Sequence, residues 1–207
     1  KSNKGKDKKL KRIEENKKLD EHWKLVEAAN NVTDPLAPLV SFQNFNKNGL
    51  SVALSCVKAQ CLDAETLKWA FDLTKANMEE LYSSSWGWND KEKLKELSDD
   101  RMWFLLATNQ SKPVAFCSFR FDLDFGEPVV YCYEIQLEKE MQRKGLGRFI
   151  MQILQLLAVK NNMNKVVSTV LRCNESSKNF FMEKLKYEVD ASSPEDAVYV
   201  ILSKTTK

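Results

Sequence analysis

The spacing of apolar positions changes several times along the chain, and each change marks an element. From about residue 7 to 30 the spacing is helical, with Leu19, Trp23 and Val26 forming a late apolar stripe that should dock on the domain. Residues 31–48 carry Pro35, Pro38 and four asparagines, which predicts a connecting loop. Over 50–57, Leu50, Val52, Leu54 and Cys56 alternate with small or polar partners, the period of a strand. Asp63 is placed to cap a long helix over 64–82, with Leu67, Ala70, Phe71, Thr74, Met78 and Leu81 on its inner face. Residues 83–89 break that helix and present Trp86-Gly87-Trp88, and 91–97 read as a short charged helix. Three strands follow, over 102–107, 114–123 and 129–137. Their short connections at Ser111-Lys112-Pro113 and Gly126-Glu127-Pro128 suit an antiparallel meander. A helix over 147–161, a strand over 166–171, a helix over 175–185 and a strand over 197–202 close the order βα(α)βββαβαβ. This predicts an α/β fold on a mixed sheet, with a basic tail and helix over 1–30 and one main domain over 31–207.

Composition changes this picture little: 43% hydrophobic and 29% charged residues are ordinary for a chain that buries a core. The net charge is only +3, yet residues 1–18 hold nine Lys or Arg against three acids. A solvated helix end, nuclear import or nucleic-acid binding would each suit that excess. The five cysteines (56, 61, 117, 132 and 173) form no C-x-x-C pair, and three lie in apolar strand-like runs. Buried reduced thiols are expected, and with them a cytoplasmic or nuclear location. The longest apolar stretch, 149–159, is interrupted by Gln152 and Gln155 and falls short of the ~20 residues of a membrane span. No secretory signal is visible, and the chain does not begin with Met, which leaves room for upstream residues and a lipidation signal.

The strand over 129–137 runs through charged residues into Gly145 and Gly147 and then into an apolar helix. Glycines there let the backbone turn and leave its N–H groups unshielded, so that the helix's first turn forms a nest for a phosphate. Gln142, Arg143, Lys144 and Arg148 surround it with donors and positive charge. A Walker loop needs G-K-[ST] where Arg148 and Phe149 stand, and a dinucleotide fingerprint needs a small residue where Ile150 stands. The remaining pattern, Gln142-x-x-Gly145-x-Gly147, resembles the acetyl-coenzyme A pyrophosphate loop of the GNAT acetyltransferase superfamily, whose order of elements the chain also follows after its tail.

Candidate chemistry is narrow. His22 is the single histidine, which nearly excludes a histidine-based triad or a zinc site of several histidines and points to a carboxylate base and no metal. Glu134 is a lone carboxylate in an apolar and aromatic strand; it is either a general base whose pKa burial raises, or a solvent-facing neighbour of Gln136. Strict alternation sets Tyr131 and Tyr133 on one face and Glu134 on the other, so one site can use all three only if a bulge interrupts the pleat. Asp122 and Asp124 project the same way as either a solvated pair or a site for a basic substrate, and Tyr82, Trp86 and Trp88 could wall a peptide groove. Asn174 should cap the helix after residue 171.

Six stretches resemble more closely the N-terminal acetyltransferase D family, which acetylates the amino-terminal serine of histones 4 and 2A. They are W-A-F-D-L-T-K-A-N-M at 69–78, W-G-W at 86–88, F-R-F-D at 119–122, Y-C-Y-E-I-Q-L-E at 131–138, R-K-G-L-G at 143–147 and I-L-Q-L-L-A at 153–158. The resemblance implies a GNAT fold with an added N-terminal helix, acetyl-coenzyme A as cofactor and histone tails as partners. Glu134 would be the general base with Tyr133 beside the amine. The cofactor would lie on Ile135, Gln136 and Leu137, on Gln142, Arg143, Lys144, Gly145, Leu146, Gly147 and Arg148, and on Asn174. The Ser-Gly-Arg-Gly-Lys end would meet Tyr82, Trp86, Asp122, Leu123, Asp124, Tyr131, Thr169, Ser192 and Tyr199, acids facing the arginine. The chain departs from the family in a loop before Trp86 that looks one residue shorter, in Asp at 124 where Glu can stand, and in lacking a cysteine- and histidine-rich tail. A lysine acetyltransferase and a non-catalytic module binding coenzyme A, a ribosome or nucleic acid are the competing readings.

Overall fold

A computed structural model describes residues 3–206, with side chains from residue 8 onward. The sheet has eight strands in the order β1-β2-β3-β4-β5-β6-β8-β7. These are β1 Asn44–Lys47, β2 Leu50–Lys58, β3 Trp103–Asn109, β4 Lys112–Asp124, β5 Glu127–Leu137, β6 Lys165–Leu171, β7 Glu188–Val189 and β8 Tyr199–Thr205. Every pairing is antiparallel except β5 with β6. The helices are α1 Asn3–Asn30, α2 Ala64–Ser83, α3 Asp90–Leu97, α4 Leu146–Lys160 and the single turn α5 Glu175–Lys178.

Alternation along the central strands divides their side chains between two cores. Trp103, Leu105, Cys117, Phe119, Val130 and Cys132 join α1 and α4 on one side. Phe104, Leu106 and Phe116 join Ala70 and Leu73 of α2 and Leu97 of α3 on the other. Burial on both faces explains why β3 to β5 read as nearly unbroken apolar runs. The capping role of Asp63 holds, since its side chain accepts from Thr66 N–H at 2.7 Å. The inner face of α2 includes fully buried Ala70 and Thr74, and also Leu73, which the stripe had passed over.

Several expectations are corrected. The asparagine-rich segment over 31–48 is not all loop, because Phe45 drops into the core at 4% exposure and pins β1 against β2. The helix expected over 175–185 is α-helical for one turn and continues as a π-helix over Asn179–Lys184, widening around buried Phe181. The last strand begins at Tyr199 rather than 197, and the two-residue β7 pairs beside it. Leu19 and Trp23 remain 44% and 45% exposed; α1 buries Val26 and Ala29 and is held by Asn30, while Lys18 and His22 reach Glu127 and the Gly126 carbonyl at the β4–β5 turn. Asn30 reaches Phe121 O at 2.9 Å and accepts from Trp103 Nε1 at 3.0 Å, joining α1 to β3 and β4. Cys56, Cys117 and Cys132 are buried free thiols as expected, whereas Cys61 and Cys173 are exposed.

Candidate active site

The pairing of β4 with β5 slips once: Ser118 faces Glu134 and Phe119 faces Cys132, which leaves Tyr133 as an extra residue. This bulge is the one the alternation required. It turns Tyr133 and Glu134 to the same side of the sheet, where Tyr133 packs on the second core and Glu134 meets α2 and α3. Glu134 is 4% exposed, so it does not share a wet face with Gln136; both are buried.

Glu134 is held by side chains from two helices as well as from its own strand. Its Oε1 accepts from Lys93 Nζ at 2.8 Å and from Tyr82 OH at 3.2 Å, while Oε2 accepts from Gln136 Nε2 at 2.8 Å. Gln136 is held in turn by Asn77 Nδ2 at 2.9 Å, so its side chain serves this cluster and only its backbone faces the sheet edge. Lys93 Nζ also donates to Glu96 Oε1 at 2.8 Å. Burial works against the Lys93 charge, but the two carboxylates outweigh it and lift its pKa above the ordinary lysine value. Burial, reinforced by the Glu134 charge, likewise raises the Tyr82 hydroxyl and keeps it neutral. Arg120, opposite Tyr131 on β4, stacks its guanidinium 4.7 Å from the Tyr133 ring centre and bonds Asp99 at 3.0 Å. A cavity of about 410 Å³ opens beside the cluster, lined by Tyr82, Trp86, Trp88, Lys93, Glu96 and Arg120.

Lys93 was missed because α3 reads as a surface helix of alternating charge. Its spacing of four from buried Leu97 is the one signal that it points inward.

On the other side of the bulge, β5 pairs with β6 only from Val129 to Cys132, while β6 continues along β8 to Leu171. From Tyr133 to Leu137 the β5 edge therefore has no strand partner among the described residues. That edge leads to the glycine turn, where Gly145 has φ +90°, which favours glycine. Gly147 does not turn the chain: it lies within α4, and a Cβ there would sit 3.4 Å from Phe180 Cζ and 3.8 Å from Leu137 Cδ1. The expectation that both glycines serve the turn is corrected to one turning and one allowing close approach. The first intrahelical bond at this end runs from Phe149 N–H to Gly145 O at 3.1 Å, so the amides of Leu146, Gly147 and Arg148 precede it as helix-terminal donors. Gln142 Nε2 donates to Leu137 O at 3.1 Å, Asn48 Nδ2 to Lys144 O at 2.9 Å and Arg143 Nη2 to Ser176 Oγ at 3.3 Å. The side chain of Leu146 is fully buried, and Ile135 and Leu137 pack against the α4-side core, so these three offer backbone to the edge. Asn174 caps α5 by accepting from Ser177 N–H at 3.0 Å.

Around the tyrosines, Tyr131 OH and Thr169 Oγ1 are 2.6 Å apart. The Trp86 ring lies 5.3 Å from Tyr82 and 5.5 Å from Tyr199. Asp124 stands 3.9 Å from Lys165, which bonds Asp190 at 2.5 Å; Asp190 accepts from Ser192 Oγ at 2.7 Å. Asp122 accepts from the Leu123 N–H at 2.9 Å, whereas the Leu123 side chain packs on the opposite core, away from these groups. Among the described residues no three His, Cys, Asp or Glu side chains are grouped to hold a metal ion, and no helix is long and apolar enough to cross a membrane.

An unpaired strand edge ending at a glycine-turned helix terminus, with a buried carboxylate across the bulge, defines a site of the N-acyltransferase class. The chain belongs to the acetyltransferase (GNAT) family, whose sequence profile matches residues 69–187. Among solved structures it is similar to Arabidopsis thaliana Naa50 bound to the bisubstrate analogue CoA-Ac-MVNAL, at 17% identity over 75% of this chain and 99% of that one, with a TM-score of 0.53. It is also similar to the ribosomal-protein-S18-alanine N-acetyltransferase of Escherichia coli (17% identity, 74% and 94% covered, TM-score 0.52). A third is the PaiA N-acetyltransferase of Thermoplasma acidophilum in complex with coenzyme A (15% identity, 74% and 99% covered, TM-score 0.55). These likenesses carry the fold.

Proposed function

We propose that the protein is an N-α-acetyltransferase that moves the acetyl group of acetyl-coenzyme A to the free amino-terminal serine of histones 4 and 2A. The observation that carries the reading is the bulge at Tyr133, which sets the buried Glu134 carboxylate within the stretch of β5 whose edge has no strand partner among the described residues. The six stretches resembling the histone-directed family support the substrate, and so does the acidic pair Asp122 and Asp124 on the same strand. Solved relatives that hold coenzyme A or a coenzyme A–peptide analogue support the cofactor.

The residues present fit that cofactor. Gly147 leaves open a gap between Phe180 and Leu137 that a side chain would narrow, and the terminal amides of α4 are suited to a diphosphate. The backbone of Ile135, Gln136 and Leu137 would hold the pantetheine arm, with Arg143, Lys144 and Arg148 supplying positive charge. When bound, acetyl-coenzyme A supplies an activated acetyl thioester. Glu134 accepts the proton of the incoming amine, and Tyr133 and Tyr131 flank it. An α-amine of pKa ~8 is already about a tenth neutral at pH 7, against roughly 4 in 10,000 for a lysine near 10.4. A modest base therefore suffices. Trp86 and Tyr199, in contact with each other at a ring distance of 5.5 Å, and the Asp124–Lys165–Asp190–Ser192 chain bound the groove. A histone substrate also places the protein in both cytoplasm and nucleus.

The test is acetylation of Ser-Gly-Arg-Gly-Lys peptides, with and without a blocked amino terminus. Transfer only to the free terminus is expected, and transfer to the blocked peptide would favour a lysine acetyltransferase. Glu134→Gln should lower turnover by ~10²-fold or more with the fold intact. Near-normal turnover would refute the base assignment.

A further inference from the structure

We propose that Lys93 is a positioning residue for Glu134, fixing the orientation of the carboxylate through a buried ion pair so that one acceptor position on Oε2 is presented to the substrate's amino group. This rests on the assignment of Glu134 as base and extends it to a residue on another element.

The geometry carries the step. A carboxylate has about four acceptor positions, two per oxygen. At Glu134, Oε1 takes Lys93 and Tyr82, while Oε2 takes Gln136 alone, so the position left over is on Oε2. Among the described residues Lys93 is the single cation in contact with the carboxylate, and it is itself 8% exposed although it sits on a helix whose other lysines, 91 and 95, face water. Such a buried pair is weak evidence of a stabilising role, because an apolar residue in its place is often neutral or better for stability. Placing the ammonium here, in contact with the candidate base and next to the 410 Å³ cavity, is accounted for by chemistry at that base. Lys93 is also shared. Two carboxylates, Glu134 and Glu96, meet one ammonium and leave an excess of one negative charge, which an incoming α-ammonium neutralises. The other ionisable groups facing the site are Tyr82 from α2, Arg120 from β4 and Tyr133 from β5. Arg120 is engaged by Asp99 and the Tyr133 ring, so it does not replace Lys93.

The sharing predicts opposite responses from two substitutions. Lys93→Met removes the positive charge and leaves the carboxylate buried, so the acid limb of kcat/KM should move up by ~1–3 pH units. Activity lost on the acid side should recover as the pH is raised, while Lys93→Arg retains the wild-type limb. Glu96→Gln removes the competitor for Lys93, and the limb should move down. Ionisation of the peptide's α-amine is common to all variants and cancels in the comparison. The experiment is a pH–rate profile of these three proteins, wild type and Glu134→Gln with the free-serine peptide, each checked by thermal denaturation. Glu96 is partly exposed, so its variant reports even if Lys93→Met does not fold. A parallel fall at every pH in Lys93→Met, or no downward shift in Glu96→Gln, overturns the role of Lys93 while a dead Glu134→Gln leaves the base assignment standing. Undiminished turnover in Glu134→Gln overturns the base itself.

Discussion

Gly147→Ala should raise the stability of the protein and weaken its cofactor binding, two effects that ordinary damage would not separate. Gly147 has a helical backbone, so alanine gains up to about 1 kcal/mol of helix propensity, roughly halved here because the residue lies in the first turn. The new methyl would meet Phe180 Cζ at 3.4 Å and Phe180 Cε2 at 3.6 Å, the near edge of ordinary contact, so little of the gain is lost to crowding. The same methyl narrows the gap between Phe180 and Leu137, which the proposed function leaves to the cofactor. Inserting a methyl into a filled site costs ~1–3 kcal/mol. At 1.4 kcal/mol per factor of ten, Kd for coenzyme A should rise about 5-fold to 100-fold. Thermal denaturation without ligand and calorimetric titration with coenzyme A measure the two sides. A stabilised variant with unchanged Kd would show that the cofactor does not pass this gap. Gly145→Ala provides the contrast: its Cβ has room, 3.5 Å from Asn48 Nδ2, but φ +90° strains any alanine. That variant should lose ~1–2 kcal/mol of stability as well as affinity.

Asn30→Ala should destabilise the fold by ~2–3 kcal/mol in chemical denaturation, because Trp103 Nε1 is buried and its indole donor would be left unpaired. Asp122→Ala should raise KM for the Ser-Gly-Arg-Gly-Lys peptide about 5-fold to 50-fold with little change in kcat, and a peptide with alanine for arginine should not show the difference. Asp190→Asn should destabilise at neutral pH. Burial disfavours the Asp190 charge, but Lys165 and the Ser192 donors more than offset this and hold its carboxyl well below the usual range. A depressed folded-state pKa contributes stability above the unfolded value of ~3.9 and loses it on further acidification. Wild type and Asn variant should therefore converge in denaturation experiments as the pH falls below ~4.

What the sequence discloses and what it hides follow physical lines. Elements buried on one periodic face, such as α2, are legible because their spacing records the burial, and β4 and β5, apolar on both faces, are legible from their length and the prolines and glycines that fence them. The bulge was foreseeable in kind, since Tyr133 and Glu134 could not otherwise share a side. Its placement depends on pairing with β4, which local spacing does not encode. Lys93 stayed hidden because a lysine turned inward looks like its solvated neighbours until a partner across the sheet is known. Leu19 and Trp23 misled in the opposite direction: their helical spacing suggested burial, but at that level the helix touches the β4–β5 turn, through Lys18 and His22, and it is held to the sheet two turns after Trp23 by Asn30, a polar residue. Gly147 read as a turn residue because two glycines one residue apart look equivalent until the start of α4 separates them.

The strand order has a consequence for how the molecule comes together. From β1 to β5 each strand lies beside the one made just before it, so half the sheet can zip up in the direction of synthesis. Helices also join β2 to β3, but only the step from β5 to β6 needs parallel registry, and that step forms the fork between the two strands. The fork therefore forms only after the meander, and a chain cut short before β6 should keep the meander while lacking the strand that splays from β5.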